Sequence, residues 1–154
     1  MSGTLSTNSS TAILPEILAP AGGREQFFAA LNSGADAVFL GLKTFNARAR
    51  AENFTVEDLR ELMPIANRHG MKVLVTLNIL IKNAELPALV ETLSTLEDVG
   101  VHAIIVQDTG LARICKTFFP NLRMHASTQL AVHNLDGVRA AVQLGFRRVV
   151  LARE

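Results

Sequence analysis

Gly34-Ala-Asp-Ala-Val-Phe-Leu40, Gly70-Met-Lys-Val-Leu-Val-Thr76, Gly100-Val-His-Ala-Ile-Ile-Val106 and Gly145-Phe-Arg-Arg-Val-Val-Leu151 are four copies of one short pattern. A glycine comes first, a polar residue stands two places on, and an apolar run follows. Each copy lies just after a stretch with helical apolar spacing. The unit reads as a helix stopped by glycine, a tight turn, and a strand covered on both faces. Its repetition gives parallel strands joined by helical crossovers. In such folds ligands gather at the carboxyl ends of the strands. Candidate chemistry is therefore confined to the few residues after each apolar run.

Working outward, residues 17–21 read as a first strand closed by Pro20, Gly22 and Gly23, and 26–32 as a helix. Strands are predicted over 36–41, 72–77, 102–106, 123–126 and 147–152, and helices over 56–69, 86–98, 111–118 and the stretch ending at Gly145. Thr55 is a good N-cap, with Asp58 at close to capping-box spacing. Pro64 interrupts the helix that follows, for no reason visible in the sequence.

Six parallel strands fit either an open doubly wound sheet or six-eighths of a (β/α)₈ barrel. A full barrel takes about 250 residues, and this chain has 154. We take the second: the fold class is α/β, an incomplete TIM-type (β/α) barrel with six parallel strands. Residues 1–12, rich in Ser, Thr and Asn, are expected to be a disordered tail, and 13–154 the N-terminal part of the barrel. The chain stops on a strand with no helix to cover it, so truncation is the expectation. The open sheet edge would then invite a protein partner.

Composition excludes several classes. Net charge is +1, so no strong field advertises nucleic acid or acidic lipid, although a local patch for RNA is not excluded. The single cysteine, Cys115, forbids an internal disulfide and a four-cysteine metal site within the chain. No metal or cofactor is expected within the chain itself. No signal or transit pattern opens the sequence, and no apolar run reaches the roughly 20 residues that cross a bilayer. A reducing, cytoplasmic setting follows.

Polar residues cluster where the strand-end rule places chemistry. His125, Asp108 and Glu154 are the candidate catalytic groups. Asn78, Gln107, Ser127, Gln129 and Arg153, with Arg48 and Arg50 from the long loop after the second strand, are the candidate substrate-binding groups. His125 suits general acid/base work because an unperturbed imidazole titrates near pH 6.5; a hydrogen-bonded histidine at the barrel rim is the equal alternative. For Asn78 and Asp108 taken singly, turn capping competes. Arg48 and Arg50 either grip an anion or are simply solvated. Glu16 either points into the barrel or sits at its bottom rim. His69 is placed at a helix end, His102 on the stability face, and Cys115 in the core. The sequence has no H-E-x-x-H, G-x-S-x-G, G-x-G-x-x-G or P-loop pattern.

Six segments then fall in a familiar order: Pro15-Glu-Ile-Leu-Ala-Pro-Ala-Gly22, Gly34 to Gly41, Val75-Thr-Leu-Asn78, Ile105-Val-Gln-Asp-Thr-Gly110, His125-Ala-Ser-Thr-Gln129 and Val149-Val-Leu-Ala-Arg-Glu154. Together they resemble the collagenase-like peptidase family, the U-32 peptidases, over nearly everything but the tail. The resemblance implies a barrel-type N-terminal domain. It implies either proteolysis of collagen-like or other peptides, or oxygen-independent or prephenate-dependent hydroxylation of transfer RNA, ribosomal RNA or the ubiquinone ring. The wording around Gln107 and His125 is most similar to the ribosomal RNA branch. Several members carry an iron–sulfur cluster on four cysteines beyond the region present here, and Cys115 matches none of them. RNA hydroxylation is the expected natural chemistry, with a protease or an inactive fragment as alternatives.

Overall fold

The computed structural model describes residues 14–47 and 52–153. Strands and helices alternate: β1 (Leu18–Ala21), α1 (Arg24–Asn32), β2 (Ala37–Gly41), α2 (Val56–Arg68), β3 (Lys72–Leu77), α3 (Leu86–Val99), β4 (Ala103–Val106), α4 (Thr109–Phe118), β5 (Met124–Ala126), α5 (Leu135–Leu144) and β6 (Phe146–Val149). Short 3₁₀ turns occupy Asn83–Glu85 and Thr128–Leu130. All six strands are parallel and lie in chain order. The four repeat glycines all take positive φ, from 70° to 101°. At Gly145 (φ 101°) a side chain would be strained, and its added Cβ would also press on Met124 at 3.2 Å.

The strands are apolar on both faces because both are covered. The outer face carries Val38, Leu40, Val73, Val75, Leu77, Ile104 and Val106, packed under the helices with Leu59, Leu62, Leu89, Leu93 and Leu96. The inner face carries a smaller cluster, Ala37, Leu74 and Ala103, with Phe39 and Ile105 against it. The period of two along each strand separates these sets.

One ion pair decides between a flat sheet and a curled one. β1 and β6 stand five strand spacings apart, about 24 Å along a flat sheet. Yet Arg148 on β6 donates to Glu16, just before β1, at 3.0 Å. Glu16 also pairs with Lys72 at the start of β3. Only a sheet curled about an axis brings these three together, so the architecture is six strands of a TIM-type barrel. Glu16 thus reaches across the concave face and is no idle rim residue.

Most predicted elements form within a residue or two of their expected bounds. α4 begins earlier than expected, at Thr109, because Asp108 caps it: the Leu111 N–H donates to Asp108 Oδ1 at 2.8 Å. β6 is shorter, and residues 150–152 run on as extended chain, with the Val150 N–H bonded to the Ala126 carbonyl at 3.1 Å. Pro64 lies within α2 on its exposed side. There the missing ladder bond leaves a carbonyl on the solvent side, where water can satisfy it.

Candidate functional site

At the carboxyl ends of the strands the concave face opens into a cavity of about 310 Å³. Phe39, Ile105, Leu18 and Val150 give it apolar walls; Thr76, Asn78 and Ser127, with Asn46 and Asn53, give it polar groups. Alternation explains the set. Thr76 and Asn78 follow Leu74 on the inward face of β3, and Ser127 follows His125 two residues on from the middle of β5.

The loop after β2 is fastened over this mouth by buried polar groups. Asn46 Nδ2 donates to Asn53 Oδ1 at 2.7 Å, and Thr76 Oγ1 donates to Asn46 Oδ1 at 3.2 Å and to the Leu40 carbonyl at 3.1 Å. All three residues are buried. Asn46 lies so close over β2 that a Cβ at Gly41 would stand 1.9 Å from its Nδ2, which explains glycine there. Phe45 and Asn53 hold positive φ, 58° and 55°, at the ends of this fastening. The Ala47 N–H donates to Asn78 Oδ1 at 3.2 Å, and Asn78 Nδ2 donates to Gln129 Oε1 at 2.8 Å. Ser127 Oγ accepts the Gln129 backbone N–H at 3.2 Å.

The expected site residues divide sharply. Asn78, Ser127 and Gln129 converge at the mouth. Gln107, half-buried just after β4, continues the inward alternation of Ala103 and Ile105. Asp108 is occupied otherwise: one carboxylate oxygen caps α4 and the other accepts the Ile81 N–H at 3.1 Å, tying the loop after β3 to α4. Arg153 is exposed. Arg48, Arg50 and Glu154 lie outside the described residues.

His125 sits one layer below the mouth, in register with Ile105 and Arg148. Burial, with Arg148 and Arg123 nearby, pushes its pKa down to about 4, against a smaller opposing pull from Glu16. With its pKa this far below 7, the ring is uncharged at neutral pH and holds no proton to give as an imidazolium. His102 has a structural task, since its Nδ1 accepts the Val73 N–H at 3.1 Å. Cys115 is fully buried in α4, its thiol pushed up to about 12 by desolvation. Among the described residues no three His, Cys, Asp or Glu side chains are placed to hold a metal ion. One buried cysteine does not fit a four-thiolate cluster.

The sequence reading missed Thr76, Asn46 and Asn53 as site residues. Thr76 was within reach, standing two places before Asn78 on one face of a strand. A larger hollow of about 840 Å³, lined by Cys115, Arg123 and Arg147, lies at the other end of β5 and β6. That is the end where barrels keep stability rather than chemistry.

Known proteins match this frame. The pattern of Peptidase family U32 matches residues 22–154. A tRNA hydroxylation protein P1 of Bacillus subtilis (strain 168) is 41% identical over 91% of this chain and 33% of its own length. A 23S rRNA 5-hydroxycytidine synthase of Escherichia coli (strain K12) is 37% identical over 90% of this chain and 21% of its own. A collagenase of Porphyromonas gingivalis is 34% identical over 90% and 33%. The chain thus spans a third or less of these curated relatives. Among solved structures, the U32 peptidase Mk0906 superposes with a TM-score of 0.72 at 15% identity, over 98% of this chain and 64% of that one. A phosphoribosylanthranilate isomerase from Thermotoga maritima superposes at 0.56 and 16%, over 89% and 63%, a likeness of fold alone. Sequence and architecture agree, and the chain belongs to peptidase family U32.

Proposed function

We propose that this chain forms the base-binding part of a cytoplasmic RNA-hydroxylating protein, and that its cavity receives a single nucleobase turned out of an RNA strand. The observation that carries this reading is the make-up of the cavity. Its polar groups are uncharged amides and hydroxyls, Asn78, Ser127 and Thr76, set beside the apolar walls of Phe39 and Ile105. A flat neutral ring with a polar edge matches such a surface, and side-chain amides are the usual readers of base edges. About 310 Å³ is the scale of one small ligand. Enzymes that alter a base take it out of the stack into a pocket of this kind. Relatives named for hydroxylation of tRNA and rRNA support the same reading.

In this proposal Asn78 and Gln129 hold the edge of the base, Phe39 and Ile105 hold its face, and His125 stands below as a neutral group. Gln107 and Arg153 supply further contacts at the rim. The chemistry assigned to the whole protein is oxygen-independent or prephenate-dependent hydroxylation of a ring C–H, a two-electron oxidation whose oxygen atom and electron acceptor both come from outside this chain. Mass spectrometry of nucleosides from a strain lacking the gene tests the reading. A hydroxylated pyrimidine is expected to disappear, to return with the wild-type gene, and to return at a tenth or less with Asn78→Ala, a loss on the order of one well-placed base contact. Unchanged nucleosides, together with gelatin cleavage by the purified protein, would favour the peptidase alternative for which the collagenase relative is named.

A further inference from the structure

We infer that the hollow at the amino-terminal end of β5 and β6 is a second binding site, and that it takes a small organic anion with an apolar body and one oxyanion head. It concerns binding rather than catalysis, lies at the opposite end of the barrel from the mouth, and does not depend on the nucleobase reading.

The hollow lies between the carboxyl ends of α4 and α5 and the starts of β5 and β6, and it encloses about 840 Å³. Pockets for small ligands run from about 300 to 1,000 Å³. Its floor is apolar. Leu122, Met124 and Phe146, otherwise buried in the core, turn their remaining surface into it. Val142 of α5, 60% exposed, adds an apolar wall that is open to solvent.

Three cations, Lys116, Arg123 and Arg147, line the same hollow, and no carboxylate does. Helix ends account for part of this. Each helix carboxyl end carries about half a negative charge, so α4 and α5 together offset roughly one cation. Lys116 is the one they offset, since its Nζ donates to the Gln143 carbonyl in the last turn of α5 at 2.7 Å. Arg123 and Arg147 are exposed, and among the described residues no group accepts from either guanidinium. A structural role for the cations therefore covers Lys116 and leaves the two arginines. Their planar forks match the paired oxygens of a carboxylate or phosphate. A bare inorganic ion would leave the apolar floor uncovered. A neutral apolar ligand would leave the arginines unanswered. An anion with an apolar body meets both.

The probe is anilinonaphthalene sulfonate, an aromatic body with one fixed negative charge, titrated into the complete protein and followed by its fluorescence. Phenylnaphthylamine, the same body without the charge, is the control. The dye is expected to saturate a site and to bind about tenfold more tightly than the control, the scale of one charge-assisted hydrogen bond. Arg123→Ala combined with Arg147→Ala is expected to cost the dye that factor and to leave the control unmoved. Both side chains are exposed, so the fold, read by far-ultraviolet circular dichroism, is expected to be retained. Val142→Glu sets a carboxylate on the wall and is expected to weaken the dye from a second position. A merely apolar site would treat dye and control alike, and dye held elsewhere on the protein would ignore all three substitutions. Either result, or no saturable binding by the wild-type protein, overturns the proposal and leaves the nucleobase reading standing. A single-stranded RNA oligonucleotide is expected to leave the dye in place. Displacement of the dye by RNA would assign the two arginines to a nucleic-acid backbone and would also overturn the proposal.

Discussion

His125 illustrates how surroundings decide what a side chain does. Its place on β5 is the one the strand pattern implies, yet the ring is half-buried and lies among Arg148, Arg123 and Lys72. Each disfavours the imidazolium. The folded value, about 4, lies below the unfolded value near 6.5. Between the two, the unfolded chain binds a proton that the folded chain refuses. Stability from this residue is accordingly complete above about pH 6.5 and is lost as pH falls towards 4. Ring-proton NMR of the folded protein is expected to show a His125 midpoint near 4 and no inflection from this residue near neutrality. A midpoint at 6 or above would restore the general acid that the sequence suggested and would displace the ring from its cationic surroundings.

At the scale of elements, local rules and tertiary packing reinforce one another at α2. Thr55 Oγ1 accepts the Asp58 N–H at 3.1 Å, and Asp58 Oδ2 accepts the Thr55 N–H at 2.9 Å, closing the capping box. The bond from the Thr55 backbone is the main reason the Asp58 carboxyl lies below its usual range, with Arg24 second. Arg24 of α1 reaches both Asp58 and Glu61, so the cap also joins two helices. Thr55→Ala is expected to lower stability by about 1 kcal/mol, read as a shift in the urea midpoint without a change in slope. A shift below a third of that would mean that Asp58 and Arg24 hold the helix start without the hydroxyl. This cap was legible in the sequence because its partners are three residues apart. β3 was legible for a similar reason, since its apolar run and bounding Gly70 are contiguous. The start of α4 was not, because Gly110 mimics a turn while the cap at Asp108 sets the boundary. Asn78, Ser127 and Gln129 could be placed by counting from strand ends. Asn46 and Asn53 could not, because their burial depends on a loop folding back over Gly41 and Thr76.

The whole molecule is organised by curvature, which no local pattern encodes. Glu16, Lys72 and Arg148 come from before β1, from β3 and from β6, and they meet because the sheet is curled. Lys72 and then Arg148 hold the Glu16 carboxyl below its ordinary value of 4.5. The contribution of this group is present above that value and is lost as pH falls through the lowered one. All three side chains are between a third and a half exposed, so their value lies in geometry more than in stability. That geometry reaches His125, where Glu16 supplies, among the described residues, the one negative charge that favours protonation. Glu16→Gln removes the charge and leaves Arg148 and Lys72 unopposed beside the ring. The His125 midpoint is therefore expected to fall further below about 4, while the fold, read by far-ultraviolet circular dichroism, is retained. On a flat sheet the same substitution would act from four strand spacings away, about 19 Å, beyond the Debye length of about 10 Å at 0.1 M salt. A midpoint that does not move at that ionic strength would mean that β1 and β5 do not share a concave face, and the cavity built between them would go with it.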